Sequence, residues 1–206
     1  MPRSAGLYCF QDGAKVSAGS NDAARSVASV SSTELERLLA AGNAHSIPHS
    51  GRTLLDHLVG TYWLPSDWEC EAHVCLAGLV HSAYGTASLS HTTVPVTERA
   101  KLKRLVGREA ERLAYLFSAC TTTADRVRAV AKGTIRSRYD GREIDVSVED
   151  ARKVLVIECA NLIEQRAADG LRQVLGKLGP DGRTALLGSN AATALESSAA
   201  VSFPGR

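Results

Sequence analysis

The chain has no excess of charge of either sign, no CxxC pair, no secretory leader and no long apolar run. Each absence removes a class of function. Its 206 residues carry a formal charge of +2 with acids and bases interspersed, which excludes the basic balance of a dedicated nucleic-acid binder. No run approaches the roughly 18 to 20 apolar residues that would span a bilayer, and the amino terminus lacks the apolar core of a secretory signal. The five cysteines, odd in number, argue for reduced thiols and against a disulfide framework. Together these predict a cytoplasmic protein without nucleic-acid or membrane partners.

What is present is enough apolar sequence, 44% of residues, to bury a full core in one domain. Residues 1–30 are rich in Ser, Ala and Gly and read as a flexible N-terminal arm, with Tyr8 and Phe10 as its docking points if it docks. Residues 189–206 read as a flexible C-terminal tail. The domain between them, 31–188, is organised around the stretch from His49 to Thr86, which holds four of the six histidines, both tryptophans and two of the five cysteines.

That stretch predicts two helices. Leu54, Leu55, Leu58 and Tyr62 form one apolar face over 52–64, with His57 at its border. Pro65 is expected to end this helix, and the spacing of Ser66 and Glu69 predicts a capping box that opens the next. The second helix runs through VCLAGLV to His81. A histidine at the end of so apolar a run must be buried beside a partner, act as a ligand or do proton chemistry, because an unpaired buried imidazole is costly. Upstream, Ser31 and Glu34 have the spacing of another cap and Gly42 stops the helix they open.

Downstream, YGTASLSHTTVP reads as a loop long enough to be a lid or site wall. A helix from Thr97 has a break at Gly107. TADRVRAVA is helical, and TIRSRYDGREIDVS is a hairpin about Asp140 and Gly141. Ser147 and Asp150 have N-cap spacing before a long apolar helix that contains Glu158, Cys159, Asn161 and Glu164. A short helix, LRQVLGKL, stops at Gly179 and Pro180. Cys70 and Cys75 are read as buried thiols, since residues five apart on a helix diverge at about 100° per residue. Arg126, Arg128, Arg136 and Arg138 are either anion receivers or a solvated stripe.

This helical order, with one histidine near the start of a helix and another ending the next, resembles the HD superfamily of metal-dependent phosphohydrolases and related oxygenases. More closely, LLDHLVGTY, CLAGLVHSAYGT, EAERLAYLF and ECANLIEQ resemble an uncharacterised bacterial domain family with an HSxYGT signature, over about residues 33 to 170. The resemblance implies an all-α, HD-like helical bundle, to which the hairpin adds a small β element. In the HD pattern the first histidine corresponds to His57 or His49. The His-Asp pair corresponds to His81 with Ser82, so the aspartate is lost. The late carboxylate is replaced by Asn161 or by Glu158 one turn earlier.

Two chemistries follow. The expectation is either a divalent metal, iron or manganese, held by His57, His81 and Glu158, with Asp56 as the alternative carboxylate, or no cofactor, with His57 and His81 working as acid and base. Tyr84 stands beside His81 as a third catalytic group, with Gly85 as a left-handed helix cap. His49, Thr86 and Asn161 are assigned to substrate binding. The partner is a small polar molecule, with a homodimer left open. The expected function is an enzyme working by metal-assisted hydrolysis or oxygenation or by acid-base chemistry, the alternative being a binding or interaction module on a degenerate HD-like scaffold.

Overall fold

The computed structural model describes Arg37, Leu39 and residues 42–89 and 91–200. The expected arm at 1–30, the cap at Ser31 and residues 201–206 lie outside the described residues. Among those described the architecture is all-α with small antiparallel hairpins, as the periodicity predicts. None of the described helices is long and apolar enough to cross a membrane. All four described cysteines, Cys70, Cys75, Cys120 and Cys159, are free thiols, Cys70 half-buried and the rest buried.

A two-residue hairpin, β1 (Pro48–His49) and β2 (Arg52–Thr53), leads into α1 (Leu54–Asp67). The cap of α1 is Thr53, whose side chain accepts from the Asp56 amide while Asp56 accepts back from the Thr53 amide. Leu54 and Leu58 are buried from the same face, each worth about 1.5 to 3 kcal/mol relative to exposure. Pro65, expected to end this helix, lies inside its last turn. A proline there removes only the donor to the Thr61 carbonyl, which is a smaller loss near a helix end than in the middle.

The capping box expected at Ser66 and Glu69 does not form. Glu69 occupies the left-handed region (φ +61°), and α2 (Ala72–Val80) starts after Glu71 with no side-chain cap. Helices α1 and α2 pack extensively on each other, and Gly78 makes that approach possible. A Cβ on Gly78 would stand 2.4 Å from the Thr61 carbonyl oxygen, the same carbonyl that Pro65 leaves without its intrahelical donor. The glycine thus seats α2 on α1 at the point where α1 has a bare acceptor.

A 3₁₀ turn at Val96–Glu98 precedes α3 (Arg99–Val106), and Gly107 (φ +86°) breaks the chain before α4 (Arg108–Ala119), as expected. Helix α5 (Thr123–Lys132) begins on a Thr122–Asp125 capping box. Strands β3 (Thr134–Arg136) and β4 (Glu143–Asp145) pair antiparallel, Ile135 opposite Ile144, about the turn that Asp140 and Gly141 predict. Ser147 caps α6 (Val148–Glu164) through the Asp150 amide. This helix is the hub. Ala151, Leu155, Ile157, Cys159 and Ala160 are completely buried, and α1, α2, α4, α5 and α7 all pack on it.

Helix α7 (Ala168–Leu187) bends at Gly179 (φ +65°), where the sequence places its stop. Residues 189–200 correct the expected tail: they form α8 (Ser189–Ala200), with Ala191, Ala192 and Leu195 buried against α7 and α6. Alanine-rich sequence looks poor in core residues, yet alanine is the best helix former, and a stripe one leucine wide suffices on a neighbouring helix.

Gly78 provides a test of the helix pair. Alanine there gains about 1 kcal/mol of helix propensity, but its Cβ has no room against Thr61. Overpacking should win, so Gly78→Ala loses about 1 to 3 kcal/mol in urea denaturation. An unchanged or raised midpoint would contradict this packing.

Candidate functional site

The two histidines singled out by the helical pattern meet. His57 enters from the first turn of α1 and His81 from the residue that ends α2, and they are 1% and 2% exposed. Their Nε2 atoms lie 3.4 Å apart, with the rings nearly perpendicular at 82°.

Their other nitrogens fix what those Nε2 atoms carry. His81 Nδ1 donates to the Gly78 carbonyl at 2.7 Å, so its proton is on Nδ1 and its Nε2 is a bare lone pair. His57 Nδ1 rests on the Glu164 carboxylate from the end of α6, which sets the same tautomer. Two lone pairs therefore face each other, and the gap between them suits a hydrogen-bond donor or a cation.

The pair forms the floor of a cavity of about 490 Å³, whose walls include His49, Arg126, Glu158 and Asn161. The His49 ring leans on His57 with 4.4 Å between centroids, and Phe117 packs edge-on against His81 at 4.9 Å. Arg126, 5% exposed, lies over the Phe117 ring at 3.9 Å, donates to the Phe117 carbonyl at 2.9 Å and pairs with Glu158 at 3.5 Å. Its Nε is buried and has no partner among the described residues.

Both imidazoles are held neutral. Burial, then His81, His49 and Arg52, push His57 down to about 2, against a smaller upward pull from Asn161. The Glu164 carboxylate favours a protonated ring, but Arg52 lies on the same carboxylate and cancels its charge, so the downward direction stands. Burial is also the main cause for His81, lowered to about 4 despite its bond to Gly78. A buried cation is costly.

Of the other expected site residues, His49, Thr86 and Asn161 reach the cavity. Thr86 is also structural, its hydroxyl accepting from the Leu89 amide at 3.0 Å. Asn161 is held between Gln165, which donates to it at 2.7 Å, and Glu158, to which it donates at 3.3 Å.

Tyr84 is a correction. It is absent from the cavity wall, and its hydroxyl donates to Glu111 at 2.8 Å while Arg99 grips the same carboxylate at 2.6 and 3.0 Å. A buried phenol needs an acceptor, and the fully buried Glu111 needs donors. They satisfy each other, and neither lines the cavity.

Glu158 reaches the cavity, but its carboxylate is taken by Arg126 and by the Thr123 hydroxyl, which donates at 2.5 Å. No three His, Cys, Asp or Glu side chains among the described residues form a group that could hold a metal ion.

Two residues of the site escape sequence reasoning in part. Arg126 belongs to a run that looks solvated. A buried glutamate on the apolar face of α6 requires a cation, which is the signal that points to it. Glu164, one turn beyond Asn161, gives no sign of reaching His57, because that contact spans 107 residues.

Residues 38–122 match a family model described as a domain of unknown function (DUF6817). The match spans under half of the chain. It covers α1 to α4, and so His49, His57 and His81, but stops before α5 and α6, which supply Arg126, Glu158, Asn161 and Glu164. No curated protein and no solved structure matches the chain.

The neutral pair makes stability depend on pH with a definite sign. Unfolded, a histidine titrates near 6.5; folded, His81 titrates near 4. Its contribution is fully present above the unfolded value and is lost as pH falls through the folded one, since only the unfolded chain takes up the proton in between. Going from about pH 7 to about pH 5 should cost roughly 2 kcal/mol through His81. Urea denaturation of the wild type and His81→Gln at both pH values checks it: the mutant should lose that part of the dependence. Equal pH dependence in both would contradict a buried neutral His81.

Proposed function

We propose that this cavity is the active site of an enzyme acting on a small polar molecule, with His57 and His81 as its reactive pair. The observation that carries the reading is the two bare Nε2 atoms, each aimed by a bond on the opposite ring nitrogen and both turned to the same gap. A ligand O–H or N–H entering that gap donates to an imidazole. A proton transferred there is shared between two nitrogens, and on His57 it also meets Glu164 behind the ring, much as a carboxylate orients and supports histidine in hydrolytic triads. Glu164 and the Gly78 carbonyl are positioning groups in this scheme, because they act through the imidazoles. Arg126, Asn161 and the wall hydroxyls orient the ligand.

The HD resemblance supports the same pair, since a histidine of one helix facing a histidine at the end of the next is the part of that pattern the chain retains. It also raises the metal reading, and the Nε2–Nε2 distance favours it specifically. At metal–nitrogen lengths of about 2.1 Å, two neighbouring corners of a tetrahedron stand about 3.4 Å apart, which is the separation here. Nδ1 protons held by a carboxylate and a backbone carbonyl are the usual outer support of ligating histidines. His57 and His81 would supply two positions for iron or manganese. Glu158 does not fit as the third, being neutralised by Arg126. A divalent ion in such a place supplies Lewis acidity and an activated water.

The test is His81→Gln, which keeps size and hydrogen bonding while removing the imidazole lone pair. The reading predicts a folded protein whose turnover falls by at least about 100-fold, with elemental analysis of untagged wild type deciding between the metal and the metal-free form. Undiminished turnover in a folded His81→Gln protein would sink the enzyme reading and leave a binding module on a degenerate HD-like scaffold.

A further inference from the structure

The charges around the cavity are closed by the protein itself. Arg126, the cation in its wall, is paired with Glu158. The N-terminus of α5, which would otherwise attract an anion, carries Asp125 in its first turn, and that carboxylate accepts the Thr122 amide and hydroxyl at 3.0 and 2.8 Å. Arg52, at the rim of the pair, lies on Glu164. The imidazoles of His57 and His81 are neutral. With no cation on the imidazoles, these groups leave no net positive charge to receive a phosphate or carboxylate, and Glu158 would repel one.

Beside His49, the rest of the polar wall is hydroxyls and amides, among them Ser82, Thr121, Thr123, Asn161, Gln165 and Gln173. Such groups donate and accept at once, as alcohols do. The unpartnered Nε of Arg126 supplies a donor close to the Glu158 acceptor, and the two bare imidazole nitrogens add acceptors on the floor. A ligand matching this set carries many groups that each both donate and accept, with no formal charge. A volume of about 490 Å³ accommodates a molecule of six or so carbons with its hydration displaced.

We infer that the occupant is an uncharged polyhydroxylated molecule, a sugar or polyol, and that the site discriminates against its phosphate esters. This rests on the active-site reading above and names its substrate class. The discrimination comes from Glu158, which cancels Arg126 and leaves an anion nothing to pair with.

The experiment is calorimetric titration of the chelator-treated full chain with glucose, ribose, sorbitol and xylitol and with the terminal monophosphate of each. The inference predicts saturable binding of at least one neutral compound, with its monophosphate bound at least about tenfold more weakly. Glu158→Gln uncovers the Arg126 charge and should shift the preference toward the monophosphate. Where that variant does not fold, the wild-type comparison carries the test alone. A monophosphate bound as tightly as its parent, or no binding by any neutral member of the set, would overturn the inference. Binding is read without turnover, so these outcomes refute the ligand class, whereas intact turnover in His81→Gln refutes the reactive pair beneath it.

Discussion

The structure depends on keeping two buried imidazoles neutral with their Nε2 atoms turned toward each other. Burial supplies the neutrality, since a charged ring without water is costly. Hydrogen bonds on the opposite nitrogens supply the orientation: the Gly78 carbonyl for His81 and Glu164 for His57. Bare lone pairs brought together at 3.4 Å repel weakly unless a donor or cation sits between them.

The surrounding fold is arranged to hold that geometry. Gly78 has two parts in it, lending its carbonyl to His81 and letting α2 lie against Thr61 of α1. Two acidic side chains on α6, Glu158 and Glu164, enter the interior from one central helix, and each is met by an arginine from another element, Arg126 from α5 and Arg52 from β2. Removing one partner of a pair buried on both sides, as Arg126 and Glu158 are, typically costs about 3 to 5 kcal/mol, so that part of the cavity wall is also a stability element. The Tyr84–Glu111–Arg99 cluster does comparable work outside the cavity, tying the turn after α2 to α4 and to the start of α3.

Much of this was legible in the sequence, because it follows from local periodicity. The helix order, the break at Gly107, the hairpin about Asp140 and Gly141, the Ser147 cap and the meeting of His57 with His81 all rest on spacing or on apolar faces that must bury each other. The misreadings share a cause, which is that local chemistry was asked to answer a tertiary question. Pro65 looks like a helix end until a neighbouring helix covers the carbonyl it leaves bare. Tyr84 looks catalytic beside His81 because adjacency along the chain does not say which way a side chain turns. Glu158 looks like a metal ligand until Arg126 appears beside it, and no window of sequence shows a contact between α5 and α6. Residues 189–200 look like a tail because two alanines and a leucine form a core face only once α7 lies beside them.

The central claim is the tautomeric state of two histidines, and nitrogen NMR reads that state directly. In two-bond proton–nitrogen correlation spectra of ¹⁵N-histidine-labelled, chelator-treated protein near neutral pH, His57 and His81 should each show a protonated Nδ1 and an unprotonated Nε2. The Nε2 proton or an imidazolium pattern on either ring would contradict the account, because it would place a proton where the site presents a lone pair.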